Sequence, residues 1–481
     1  MSFHFVWHDY ETFGANPARD RPAQFAARRT NAELEPIGDP VVIYCQPTID
    51  VLPHPEACLL TGITPQQARD EGVPEYEFAR QINALFSEAG TCGVGYNSIR
   101  FDDEVTRHLL YRNFYEPYLR EWYGGNSRWD LIDVVRLWHA LRPEGLNWPV
   151  GDNGATTFKL ERLSAENGLV HERAHDALSD VDATIALARR LRAAQPRLYE
   201  HALKLRDKKF AATLISVHEM TPVVHVSSKI PAARGCIAIM APIAPHPVNN
   251  NCVLCYDLSH DVDELLELDV DDLRDRVFAS DDELPEGLTR LPLKGVHLNK
   301  SPMLSPLSAL RPADAARWNL DIAACLANRD RLYAERDRLR EKVRAVFAQT
   351  PGEDRDPELA LYGGFLPDAD KPRLARARDA GPDTIARLHG SFSDPRYDEL
   401  LFRYRARHYP DTLDDDETER WRDFANRKLR YDTGLATLTL PEYRALIDDL
   451  ISRERNPDRL RILGALAVWP EESGLDRLLR G

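Results

Sequence analysis

The sequence predicts an α/β domain, then a small β-rich domain, then a C-terminal α-helical domain. Three observations predict this order. Over roughly the first 200 residues, apolar strand-like runs alternate with amphipathic helical ones. Beyond them, short β runs are separated by Pro, Gly and Asn, as in Pro245-His-Pro-Val-Asn-Asn-Asn251. From Pro312 onward the pattern is almost wholly helical. A chain of 481 residues also exceeds one ordinary core. The expected divisions are 1–198, 199–349 and 350–481.

In the first part, Phe3–His8, Val41–Gln46 and Cys92–Tyr96 read as strands. Asp103–Tyr111 and Asp130–Leu141 read as helices. Ala177–Ala194 is a strong amphipathic helix that stops before Pro196. In the second part, Pro222–Ser227, Cys236–Ala241, Cys252–Leu258 and Val296–Asn299 are the expected strands. The acidic stretch from Asp261 to Glu286 reads as a solvated helix and loop. Asp321–Gln349 reads as one charged helix, and Pro351–Pro357 as a linker.

Hydrophobic residues make up 43% of the chain and charged residues 29%, a globular rather than a disordered balance. No apolar run reaches membrane-spanning length. Seven scattered cysteines argue for a reducing compartment, hence the cytoplasm, and against a disulfide framework. Cys252 and Cys255 form a CxxC without a second ligand pair, so they are expected to be core thiols. The net charge of −15 excludes indiscriminate polyanion binding by the whole surface. Any nucleic-acid contact must use local clusters of Lys and Arg.

Three segments carry candidate chemistry. At the end of the first strand, His8-Asp9-Tyr10-Glu11-Thr12-Phe13-Gly14 puts Asp9 and Glu11 on one face, because strand side chains alternate. Paired carboxylates repel unless a cation lies between them, and hard oxygen ligands suit Mg²⁺ or Mn²⁺. A lone Asp-x-Glu is weak, since many strand ends carry exposed acids. Next, Gly95-Tyr96-Asn97-Ser98-Ile99-Arg100-Phe101-Asp102-Asp103 runs from strand through turn into helix. Either aspartate could merely cap that helix; Asp102 is chosen as the metal residue for its spacing from Asn97. Third, Ala174-His175-Asp176-Ala177-Leu178-Ser179-Asp180 opens the long helix. Residues five apart on a helix do not share a face, so His175 must reach back from a loop or first turn while Asp180 stays fixed.

Taken in order, Asp-x-Glu, Asn-x₃-Phe-Asp and His-x₄-Asp resemble the DEDDh exonuclease superfamily. Beyond these residues, the chain resembles the bacterial exonuclease I family along nearly its whole length. The matching stretches include Arg21-Pro-Ala-Gln-Phe-Ala-Ala27, Leu60-Thr-Gly-Ile-Thr-Pro-Gln66, Asn126-Ser-Arg-Trp-Asp-Leu131, Leu141–Pro149, His297-Leu-Asn-Lys300 and Tyr404-Arg-Ala-Arg407. The resemblance implies a ribonuclease-H-like exonuclease domain, an SH3-like β domain and a helical C-terminal domain. It implies 3′→5′ hydrolysis of single-stranded DNA to 5′-mononucleotides, in repair and recombination, by a monomer. It implies that Asp9, Glu11, Asp102 and Asp180 bind two Mg²⁺ ions, with Mn²⁺ as a substitute, and that His175 is the general base. It places Glu11, Thr12 and Phe13 against the terminal nucleotide.

The mixed aromatic and basic run Phe402–Tyr409 gives Arg403 and Arg407 as candidate DNA contacts, with interdomain salt bridges as the alternative. The family also binds the acidic C-terminal tail of single-stranded DNA-binding protein. Arg142 and Arg311, which sit in two copies of Ala-Leu-Arg-Pro, match that pocket, whereas Tyr333 stands where a further basic residue is expected.

Overall fold

A computed structural model describes residues 3–170, 176–280, 282–348, 355–431 and 434–480. The chain forms two compact units. Unit one takes in Met1–Ser127, His171–Asp182 and Asp354–Gly481; unit two takes in Arg128–Val170 and Ala183–Glu353.

Unit one is built on strands β1 (His4–Thr12), β2 (Pro22–Thr30), β3 (Pro36–Tyr44) and β4 (Thr91–Gly95), in the spatial order β3-β2-β1-β4. The short β5 (Ser127–Asp130) follows, where the chain passes into unit two. β1 runs antiparallel to β2, with Asp9 opposite Ala26 and Glu11 opposite Gln24. It runs parallel to β4, but only from His4 to Trp7. A parallel neighbour needs a long crossover. Helices Pro55–Thr61, Pro65–Glu71 and Glu75–Ser87 supply it, the first two opening on a proline that needs no N–H partner there. Val6 and Tyr10 face one core with Phe25, Phe78, Ile82 and Leu109.

The expected strands and helices of this region are present, with ends shifted by a few residues. Strand β2 and the three crossover helices are additional to those expected. At β4, Gly95 is required: a Cβ there would lie 2.9 Å from the His8 carbonyl oxygen. Asn97 then takes a left-handed φ of 67°, turning the chain into the helix Asp102–Arg112.

The C-terminal helices belong to the same compact unit as this sheet. Phe13, Ala23, Leu52 and Leu59 share a core with Leu429, Tyr443, Ile447, Leu463 and Leu466. Tyr111 and Phe114 share another with Leu374, Ile385, Tyr397 and Leu401.

Unit two contains an antiparallel sheet of β6 (Val223–Val226), β7 (Ile237–Pro245), β8 (Cys252–Asp257), β9 (Leu293–His297) and β10 (Met303–Pro306), in the order β10-β6-β7-β8-β9. The last strand is additional to those expected, and β9 begins three residues earlier than its expected start. Cys252 and Cys255 are buried free thiols on β8, as expected. The acidic stretch forms two short helices, Asp263–Glu267 and Val270–Phe278, which bury Leu265, Leu273 and Val277 rather than lying wholly in solvent. The long charged helix is two helices, Ile322–Ala334 and Arg336–Val346. The break falls at Glu335, whose φ and ψ of −104° and 14° leave the helical region without any Gly or Pro to announce it. Most of the expected linker at 351–357 lies outside the described residues. No described helix is long and apolar enough to cross a membrane.

Candidate active site

Asp9 and Glu11 leave β1 on the same face, and Asp180 joins them from the first turn of Ala177–Ala194. One carboxylate oxygen from each lies within 4.8 Å of the others. That helix start is held in place from two sides. Asp176 accepts a hydrogen bond from the Ser179 amide at 3.1 Å, and Arg28 on β2 grips Asp182 at 2.6 and 3.0 Å. Asp102 stands outside the tight triad, at the start of its helix, where it accepts a hydrogen bond from the Tyr10 amide at 3.0 Å. Asp103 forms a buried ion pair with Arg120 at 2.6 Å. Asp103 is thus paired with Arg120, while Asp102 lies close enough to Asp9 and Glu11 to raise the pKa of both. His175 lies outside the described residues.

The electrostatics are those of converging like charges. Burial, then repulsion from Asp102, Glu11 and Asp180, holds the Asp9 carboxyl well above the usual range. Burial, then Asp180, Asp102 and Asp176, pushes Glu11 up to about 9. Neighbouring His8 is kept neutral by burial, its pKa brought down to about 4, so it supplies no compensating charge. Carboxylates that destabilise one another in a fixed array favour a cation. The all-oxygen donor set fits a hard divalent ion.

Other expected site residues are placed differently. Thr12 is half-buried, and its hydroxyl donates to the Gly14 carbonyl at 2.6 Å. Phe13 is only 1% exposed and packs in the core shared with the C-terminal helices. Its expected contact with a nucleotide base is therefore corrected: a base could reach the ring only by displacing packed side chains.

Arg403 and Arg407 are also corrected. Arg403 donates to Asp356 at 2.7 and 2.8 Å and to Glu399 at 2.8 Å. Arg407 donates to Asp50 at 2.9 and 2.7 Å and is bonded to Glu358. Both guanidinium groups are buried and committed to carboxylates, so neither can serve DNA phosphates. Lys428 adds a 2.8 Å bond to Asp50. Burial opposes ionisation of Asp50, but Arg407 and Lys428 outweigh it and hold its pKa well below the ordinary value.

In unit two, Arg142 and Arg311 do come together. Both reach Asp314, at 3.3 and 2.6 Å, and Arg311 also pairs with Glu144 at 2.9 Å. Arg317, which the sequence reading passed over, joins them at 3.2 Å from Asp314.

The sequence reading also missed a set of exposed rings in unit one. Trp122 and Tyr123 are each more than 60% exposed, as is Phe365. Tyr118 lies 6.4 Å from both Tyr362 and Phe365, and Arg107 stands 5.3 Å over the Tyr118 ring. Glu121-Trp122-Tyr123-Gly124-Gly125, a pair of rings before two glycines, was the available signal.

A ribonuclease-H-like sheet carrying converging carboxylates at the end of its first strand defines a divalent-metal-dependent nuclease of the exonuclease class. Profiles described as Exonuclease, Exonuclease I SH3-like domain and Exonuclease I C-terminal domain match residues 6–188, 206–349 and 355–473. The exodeoxyribonuclease I of Escherichia coli is 48% identical over 421 residues, 87% of this chain and 88% of that one. Exonuclease I of Methylocaldum szegediense superposes with a TM-score of 0.93 at 47% identity, covering 99% and 100% of the two chains. The E. coli enzyme in complex with a dA16 oligonucleotide gives 0.92 at 44%, covering 98% and 100%. Further solved structures are described as a zinc-bound E. coli exonuclease I complex with single-stranded DNA and as SSB/exonuclease I in complex with an inhibitor. The chain belongs to the exonuclease I family, hydrolases of phosphodiester bonds.

Proposed function

We propose that this enzyme removes nucleotides from the 3′ end of single-stranded DNA using two Mg²⁺ ions held by Asp9, Glu11, Asp102 and Asp180. The observation that carries it is the convergence of Asp9, Glu11 and Asp180 to within 4.8 Å beside a further buried aspartate. When bound, divalent ions supply charge stabilisation at the scissile phosphate and lower the pKa of the attacking water. Asp9 and Glu11 present their oxygens from a rigid strand, and Asp180 meets them from a capped helix, so little reorganisation accompanies reaction. His175 would serve as the general base, an imidazole being able to accept a proton near neutral pH. Thr12 stays at the strand end, beside the terminal sugar.

The exposed rings Trp122, Tyr123, Tyr362 and Phe365 give single-stranded bases surfaces for stacking, which duplex DNA cannot use. The solved relative bound to dA16 supports single-stranded DNA as substrate. The Arg142, Arg311 and Arg317 cluster is the docking site for the acidic tail of single-stranded DNA-binding protein, consistent with the relative solved with SSB. A monomeric enzyme is part of the same reading. A cytoplasmic place in DNA repair, and domains at 1–198, 199–349 and 350–481, complete the reading.

The test is digestion of end-labelled single- and double-stranded DNA, with and without Mg²⁺, beside a matched RNA. Release from the 3′ end of single-stranded DNA only with Mg²⁺ is expected. Faster release from RNA, or cleavage in the presence of a chelator, would overturn the reading.

A further inference from the structure

Beyond its pairing with β4, the β1 backbone turns to a side chain for a hydrogen-bond partner. Pairing with β4 ends at Trp7 opposite Val94, so past that point β1 has no strand partner on that side. A buried amide must still find an acceptor. The Tyr10 N–H finds Asp102 Oδ1 at 3.0 Å.

A second connection joins the same two residues. Thr106 Oγ1 lies 2.9 Å from the Tyr10 hydroxyl oxygen and 2.8 Å from the Asp102 carbonyl oxygen. A carbonyl can only accept, so the Thr106 proton goes to Asp102 and the Tyr10 hydroxyl donates to Thr106. Thr106 is fully buried, and the Tyr10 ring is wedged among Phe25 and Phe78. Threonine bonding back to the carbonyl four residues earlier is common in helices; the connection through Tyr10 to a neighbouring strand is not.

We infer that Tyr10 is a positioning residue which, through its amide and through Thr106, sets the place of Asp102 relative to Asp9 and Glu11. This rests on the metal-site reading above. Tyr10 lies between two of the acidic residues in sequence and grips a third at both its carboxylate and its carbonyl. The strand and the helix therefore cannot shift independently without breaking one of these bonds. Groups that orient metal-binding carboxylates typically matter by about 10–100-fold in metal affinity.

The experiment uses the full chain, with Tyr10→Phe, Thr106→Val, Thr106→Ser, the double variant Tyr10→Phe/Thr106→Val, and Asp102→Asn. Three quantities are read: the Mg²⁺ concentration giving half-maximal cleavage, the KM for single-stranded DNA, and the rise in Tm on adding Mg²⁺. Tyr10→Phe and Thr106→Val should each raise the half-saturating Mg²⁺ concentration by about 10-fold, the lower end of that range. KM at saturating Mg²⁺ should stay unchanged, and the metal-induced rise in Tm should shrink. Thr106→Ser keeps the hydroxyl and should behave as the parent. The double variant should be no worse than either single one, because both break the same chain of bonds. Tm losses equal with and without Mg²⁺, together with parental Mg²⁺ dependence, would overturn the inference and leave the site reading intact. Parental Mg²⁺ dependence in Asp102→Asn would overturn both.

Discussion

Glu11 and Glu75 are both glutamates with less than a tenth of their surface exposed, in the same compact unit, and their surroundings drive them in opposite directions. Around Glu11 the neighbours are Asp9, Asp102, Asp176 and Asp180, and its carboxyl is pushed up to about 9. Around Glu75 burial is outweighed by Arg112, at 2.8 Å, and Arg21, and the carboxyl is brought down to about 2. Asp50 and Glu358, set among Arg407, Lys428, Arg21 and Arg403, follow Glu75. One region buries charge with its partners and gains a fixed architecture between the C-terminal helices and the nuclease sheet. The other gathers like charges in a fixed array, an arrangement that favours a bound cation.

The largest effect should come from the carboxylate cluster. Asp9→Asn should lower cleavage by on the order of 10³-fold or more, since it removes charge stabilisation at the reacting phosphate. The same change should raise Tm in chelator by relieving repulsion with Glu11, Asp102 and Asp180. A lowered Tm in chelator would break the contrast. In the paired region the reverse holds. Arg407→Ala leaves Asp50 and Glu358 buried with less compensation, and should cost about 3–5 kcal/mol in denaturant unfolding. The Mg²⁺ dependence of the folded fraction should stay the same.

Trp122→Ala should weaken binding of single-stranded DNA by about 1–3 kcal/mol, measured by titration of a labelled oligonucleotide. Arg403→Lys, in the buried network, should leave the salt dependence of that binding unchanged.

The response to pH differs in sign between the two regions. The folded, metal-free protein keeps a proton on Glu11 up to about pH 9, whereas the unfolded chain loses it near the ordinary value of 4.5. The folded state therefore holds the extra proton, and this group makes stability fall as pH rises between those values. Glu75 stays ionised down to about 2, so its contribution is present above 4.5 and is lost as pH falls toward 2. Chelator-treated protein should accordingly lose Tm on raising pH from 6 to 8, and Asp9→Asn should lose less. An equal slope in the two proteins would contradict the assignment.

Much of this was legible in the residue pattern, because local signals carry it. Strand alternation puts Asp9 and Glu11 on one face, and the helical periodicity of Ala177–Ala194 places Asp180 in its first turn. Arg403 and Arg407 misled because a basic and aromatic run looks alike whether it faces solvent or a buried carboxylate. Their acceptors Asp50, Asp356 and Glu358 are remote in the chain or lie across a poorly patterned segment. Phe13 misled because the resemblance carries over only its place in the chain, while the register shift after Glu11 and the C-terminal helices decide what the ring meets. The break at Glu335 carries no turn residue at all.

Divalent ions at Asp9, Glu11 and Asp180, with Asp102, are the proposal on which the rest depends. Calorimetric titration of Mn²⁺ into the protein at pH 7, in two buffers of different ionisation heat, tests it most directly. Binding should release on the order of one proton per molecule, as Glu11 and its neighbours become ionised, and should be lost in Asp9→Asn. Binding without proton release, or identical titrations of the two proteins, would contradict it.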